Sequence, residues 1–286
     1  MRFPKLVQLS FAIALALGGC SAQTSVVETG RTPTDGGQNS GQESTQTPDS
    51  GTPVDGGSDG PSFREGGGDA QTTDILGTLS GSCGTVRTLV TSPNPSLEDN
   101  VLVFVAGETY TKASLSTDGQ RLYDTANAGG SSAESEVMSF EVLHACEGAS
   151  LLKTETEISY APPDDSGPNS ITDILVMIGG NKVGVSVTRA YKPSSQALSD
   201  ADVKSLLEKK LLGINRSSER VLQTDKWVKQ ILHVFAVDKN ASDAVSRVWP
   251  TIDTALRADT IVLVTQTSGG GFVYCNPDPP LGSECP

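Results

Sequence analysis

Two histidines among 286 residues, and no pair of cysteines at CxxC spacing, leave this chain short of the ligands a zinc site uses. His144 and His233 each sit inside an apolar period and are expected as core residues rather than ligands. No HExxH or phosphate-binding P-loop pattern occurs, so the sequence signs of zincins and P-loop enzymes are missing. Ser268-Gly269-Gly270-Gly271 is glycine-rich but is followed by no helix, so it reads as a turn. Long apolar runs are missing too. The mainly apolar stretch from Leu6 to Leu17 is too short to cross a bilayer as a retained helix. Between residues 21 and 75 even scattered apolar residues are few: Val26, Val27, Val54 and Phe63 stand among Gly, Ser, Thr, Gln, Pro and Asp. Such a segment cannot bury enough surface to offset its ordering entropy, and it is expected to be a disordered tether. A glycine-rich coil of that length reaches about 40 Å.

What the amino terminus does contain is ordered as an export signal. Arg2 and Lys5 precede the apolar stretch, and Leu17-Gly18-Gly19-Cys20 closes it. This end resembles a bacterial lipobox. The resemblance implies cleavage after residue 19 and acylation of Cys20, and two acyl chains suffice for stable anchoring. Ser21 stands where an aspartate would signal inner-membrane retention, so the resemblance implies an outer-membrane, lipid-anchored envelope protein. The organisation expected is a signal peptide over 1–19, a lipidated tether over 20–75 and one α/β domain over 76–286.

The net charge of −13 is unevenly placed. Between Lys182 and Lys229 ten basic residues face five acidic ones, yet Asp200, Asp202, Glu208 and Glu219 interrupt the run. That pattern reads as a solvated helix face rather than a phosphate-binding stripe. Beyond Cys20 the chain has Cys83, Cys146, Cys275 and Cys285. An even number in an exported protein implies two disulfides, with three connectivities open. Cys275 and Cys285 bracket a Pro/Gly-rich tail, which favours local pairing there and a Cys83–Cys146 bridge at the front.

Periodicity places short strands over Val86 to Thr91, Val101 to Val105 and Tyr110 to Leu115, with Asp118-Gly119 as a turn. A helix is expected over about 133–146, then strands over Leu151 to Tyr160, Ile171 to Ile178 and Lys182 to Ala190, the last two joined as a hairpin around Gly179-Gly180-Asn181. Ser199-Asp200-Ala201-Asp202 caps a helix reaching about Leu212. A buried strand from Ile231 to Val237, a helix from Ala241 to Ala258 kinked at Pro250, and a strand from Ile261 to Thr265 complete the pattern. The fold class is therefore α/β: a mixed sheet with an αβββαβ core over 133–240, preceded by short strands.

That element order, with Asp173 near the start of the second core strand, resembles the PD-(D/E)xK nuclease-like superfamily. The resemblance implies a divalent cation held by the strand aspartate, a Glu-x-Lys on the third strand and a glutamate from the first helix. A two-residue hairpin loop sets Asp173 across from Ser186 or Thr188, which stand where the family has its Glu and Lys. Glu155 and Glu157 share a face if their segment is a strand. The long 161–170 loop puts residue 158 near Asp173 to within a residue or two, so that Glu157 faces it. Glu141 or Glu136 looks down from the first helix. The site expected is Asp173, Glu157 and Glu141 around Mg²⁺ or Mn²⁺, beside Ser186 and Thr188, with positive charge from Arg189, Lys192 or Lys210. Two functions fit: a tethered metal-dependent nuclease or phosphodiesterase, or a non-catalytic lipoprotein that uses the same scaffold to bind a partner.

Overall fold

The computed structural model describes residues 72–74, 77–105, 111–125, 133–162, 169–192 and 198–274. The segment expected as a signal peptide, Cys20, nearly all of the segment expected as a tether, and Cys275 with Cys285 lie outside the described residues. In chain order the elements are β1 (Thr72–Asp74), β2 (Gly77–Gly81), α1 (Thr85–Leu89), β3 (Ser96–Phe104), α2 (Thr117–Asp124), α3 (Ala133–Glu147), β4 (Ser150–Thr154), β5 (Ile174–Ile178), β6 (Asn181–Ala190), α4 (Asp200–Arg220), β7 (Lys229–Ala236), α5 (Lys239–Val248), α6 (Thr254–Arg257) and β8 (Ile261–Ser268).

All eight strands form one mixed sheet in the order β1-β2-β3-β8-β7-β6-β5-β4. β3, β8, β7 and β6 run parallel at its centre, and antiparallel pairs flank them on both sides. Every residue of β7 is buried, as expected of a central strand covered on both faces. One face packs α3 against Leu102, Val185, Ile231 and Leu263 through Val137 and Phe140. The other packs α4 and α5 against Leu232, Val234, Val262 and Val264 through Val203, Leu207, Leu211 and Val245. The α3–β4–β5–β6–α4–β7 succession is the αβββαβ core that the periodicity implied.

The hairpin β5–β6 turns through Gly179 and Gly180, both with positive φ, as a two-residue loop requires. Its register pairs Ile178 with Asn181 and Ile174 with Val185. α4 starts as expected, with Ser199 and Asp202 bonding each other's backbone N–H. It continues eight residues past Leu212, because Ile214 and Ser217 keep the buried stripe of Val203, Leu207 and Leu211 going through Gly213.

Several local readings are corrected. Residues 85–89 form α1 rather than a strand. The distant Glu147 carboxylate accepts the N–H groups of Gly84 and Arg87 at 2.9 and 2.8 Å, capping the helix. A Cys83–Cys146 disulfide joins the same two segments. Residues 112–114 are a 3-10 turn rather than a strand, and Asp118-Gly119 lies inside α2, which Ser116 caps by accepting the Gly119 N–H at 3.1 Å. Pro250 ends α5 instead of kinking it: the chain passes through a 3-10 turn, Trp249–Thr251, and restarts as α6 under an Asp253 cap. The segment Leu151 to Tyr160 is a strand only to Thr154. Among the described residues, no helix is long and apolar enough to cross a membrane.

Candidate metal centre

Asp173 stands one residue before β5. Its Oδ2 accepts the Val187 N–H at 2.6 Å, so the carboxylate is bonded to the backbone of the neighbouring strand. The Val187 carbonyl in turn accepts a hydrogen bond from Lys210 Nζ of α4 at 3.0 Å. Burial pushes the Asp173 carboxyl up to about 6; the Lys210 charge and the Val187 N–H act against that rise, and the Glu155 charge adds to it.

Glu155 is the first residue of a 3-10 turn, Glu155–Glu157, that follows β4. β4 pairs Thr154 with Ile174, so the same register carried one step further brings Glu155 alongside Asp173. Glu136 descends from the amino-terminal part of α3 and is buried. Glu136, Glu155 and Asp173 each offer a carboxylate oxygen, and these oxygens lie within 4.8 Å of one another. Such a triad can hold a metal ion. Hard cations bind oxygens at about 2.0–2.6 Å, so two ligands on opposite sides of one ion are about 4–5 Å apart.

The cluster differs in two members from the sequence expectation. Glu141 is buried elsewhere on α3, where its Oε1 accepts the Ser116 N–H at 3.0 Å and the Ser116 hydroxyl at 2.8 Å. Glu157 closes its own turn by accepting the Thr154 N–H at 2.9 Å, and it pairs with Arg121 of α2 at 2.6 Å. Both contacts hold its carboxyl below the usual range. Glu155 and Glu157 share no strand face, because β4 ends at Thr154. The β4–β5 register, which shifts by one residue between Leu151 and Lys153, places residue 155, not 158, beside Asp173. From Ser159 onward the chain pairs with the end of α4, through Tyr160 and Val221.

Ser186 and Thr188 are buried on β6. The hairpin register extended by one residue sets Ser186 across from Asp173. Alternation puts both on the face of Ala190, toward α4, while Val183, Val185 and Val187 face α3. Neither belongs to the carboxylate triad. Of the cations expected, Lys192 pairs with Asp202 at 2.7 Å, and Lys210 bonds the Val187 carbonyl beside Asp173. Elsewhere in the basic run, Lys182 and Lys226 bond the carbonyls of Thr224 and Ser218, and Lys229 bonds those of Ser92 and Asn94.

The histidines lie apart from the triad. His233 is fully buried between the Ser139 and Thr265 hydroxyls, each at 2.8 Å, and burial pushes it down to about 3, so it is neutral. His144 Nδ1 lies 2.7 Å from the Ala149 carbonyl oxygen. A cavity of about 200 Å³ lined by Ser218, Trp227, Gln230 and Asp259 is bordered by none of the triad residues.

No family model matches the chain. Over 167 residues, 56% of its length, it is 40% identical to the AAC-rich mRNA clone AAC4 protein of Dictyostelium discoideum. The chain spans about a quarter (24%) of that relative's length. Among solved structures, Pyrococcus furiosus SfsA in complex with Ca²⁺ is matched at 14% identity with a TM-score of 0.24, over 47% of this chain and 55% of that one. Neither match assigns a role to a residue of this chain.

Proposed function

We propose that this is a lipid-anchored envelope protein whose α/β domain binds one divalent cation, Mg²⁺ or Mn²⁺, through Glu136, Glu155 and Asp173 and uses it to hydrolyse a phosphodiester. The observation that carries the reading is the convergence of three carboxylates from three separate elements at one end of β5. Like charges repel when brought together, and an ion between them removes that cost. When bound, the ion would polarise a phosphoryl oxygen and lower the pKa of an attacking water. Lys210 would supply the positive charge that the family places on the third strand, from α4 instead of from Thr188. It bonds the carbonyl of Val187, the residue whose N–H meets Asp173.

The test is cleavage of a generic phosphodiester, DNA and RNA with and without Mg²⁺ or Mn²⁺. The expected result is metal-dependent cleavage that is lost in Asp173→Asn and strongly reduced in Lys210→Gln. Metal binding without cleavage of any of the three substrates would overturn the enzyme reading. It would favour the second one, a binding scaffold, whose specific support is the buried, uncharged pair Ser186 and Thr188 at the positions where the resembled family has charged groups. The anchor is tested separately. Cys20→Ser should move the protein from the membrane fraction to the soluble fraction or block its processing, and unchanged partition with normal processing would contradict the lipobox.

A further inference from the structure

We propose that Arg121 is a positioning residue for the metal centre: by gripping Glu157 it fixes the turn that delivers Glu155. The inference rests on the metal-site reading given above. α2 lies along the edge strand β4, where its Asp118 Oδ2 accepts the Leu151 N–H at 2.9 Å. One turn further on, Arg121 Nη2 meets Glu157 Oε2 at 2.6 Å, and its guanidinium also approaches the carbonyls of Leu151 and Leu152 at 3.5 Å. The same Glu157 oxygen accepts the Thr154 N–H, which folds the chain back over residues 154–157. Glu155 is the first residue of that turn, so its direction depends on how the turn is held. From the other side Asp225 accepts the Ser159 N–H at 2.7 Å and pairs with Lys153 at 2.8 Å.

The two clamps differ in kind. The Asp225 side chain is 4% exposed and its removal would threaten the fold, whereas Arg121 and Glu157 are 41% and 40% exposed. Exposed ion pairs contribute little to stability. Loss of Arg121 should therefore be read out in the geometry of the cluster and hardly at all in the folding of the domain. Residues that orient a metal ligand from behind typically change metal affinity 10–100-fold.

The experiment is an Mn²⁺ titration of the full chain followed by electron paramagnetic resonance, with the metal-free Tm measured in parallel. Arg121→Gln should weaken Mn²⁺ binding about tenfold with Tm unchanged, and Arg121→Lys, which keeps the charge, should recover most of the affinity. Lys112→Gln is the control. It breaks an exposed ion pair with Asp124, which shares the last turn of α2 with Arg121 but does not touch Glu157, and should leave Mn²⁺ affinity at the wild-type value. Wild-type affinity in Arg121→Gln would overturn the inference, as would an equal loss in Lys112→Gln, which would mean general loosening of α2. Absence of Mn²⁺ binding by the wild-type chain would overturn the metal-site reading itself, a result distinct from either of these.

Discussion

α3 serves two polar regions of different make-up. Around Ser139 and Glu141 every polar group named above meets a complementary one: His233 sits between two hydroxyls, and Glu141 closes on the N–H and hydroxyl of Ser116. Around Glu136 the helix brings a third carboxylate to those of Glu155 and Asp173, the last of which also accepts the Val187 N–H. Groups of the first kind hold the fold together, and their removal leaves partners without bonds. Carboxylates of the second kind repel one another, and a cation bound between them would relieve that repulsion. Carboxylates five residues apart on one helix thus have different work, set by what the rest of the chain brings to each.

Mutation separates the two kinds most sharply at Asp173. Asp173→Asn should weaken Mn²⁺ binding by at least about 100-fold, while the metal-free domain melts no lower than wild type because one of three crowded charges is gone. Isothermal titration and thermal melts check the two halves, and a Tm drop together with retained binding would erase the contrast. The next effect is expected at His233. Its folded pKa, about 3, lies below its ordinary value of 6.5, so the unfolded chain binds the proton more readily. Stability from this group is therefore full above about pH 6.5 and is lost as pH falls toward 3, by an amount on the order of a few kcal/mol. Denaturant melts across that window should show the loss, and His233→Gln should flatten it.

A smaller cost is expected at Gly119. A Cβ at this position would overlap Glu141 Oε1 and force it off Ser116. Gly119→Ala should cost about 1–3 kcal/mol in urea unfolding and leave Mn²⁺ affinity unchanged, because Glu141 is a brace and not a ligand. Least of all is expected at Arg247, whose pair with Asp200 at 2.8 Å is exposed on both sides. Arg247→Gln should change neither Tm nor metal affinity measurably, and a shift in either would show that surface charge reaches further into this domain than its contacts imply.

Much of this arrangement was legible in the residues. The αβββαβ order followed from the change of period at Leu151 and back at Ser199, and a two-residue turn narrowed the β6 partner of Asp173 to Ser186 or Thr188, of which the observed register takes Ser186. Helix phase alone did not separate Glu136 from Glu141, because their choice depends on Ser116, which approaches from 25 residues away. Strand alternation across Glu155 and Glu157 failed for a related reason. The alternation is present in the sequence, but Thr154 and Arg121 take the Glu157 carboxylate and convert the segment into a turn. The α1 segment was misread as a strand because the group that caps it, Glu147, lies about 60 residues downstream. In each case local pattern lost to a side-chain partner that only the folded chain supplies.

The central claim is that Glu136, Glu155 and Asp173 bind a cation while Glu141 and Glu157 support the fold around them. It is tested most directly by Mn²⁺ titration of Glu136→Gln beside Glu141→Gln, two neutralisations on the same helix. The account predicts that Glu136→Gln loses Mn²⁺ binding, and that Glu141→Gln keeps binding while its Tm falls. Binding retained in Glu136→Gln and lost in Glu141→Gln would contradict it.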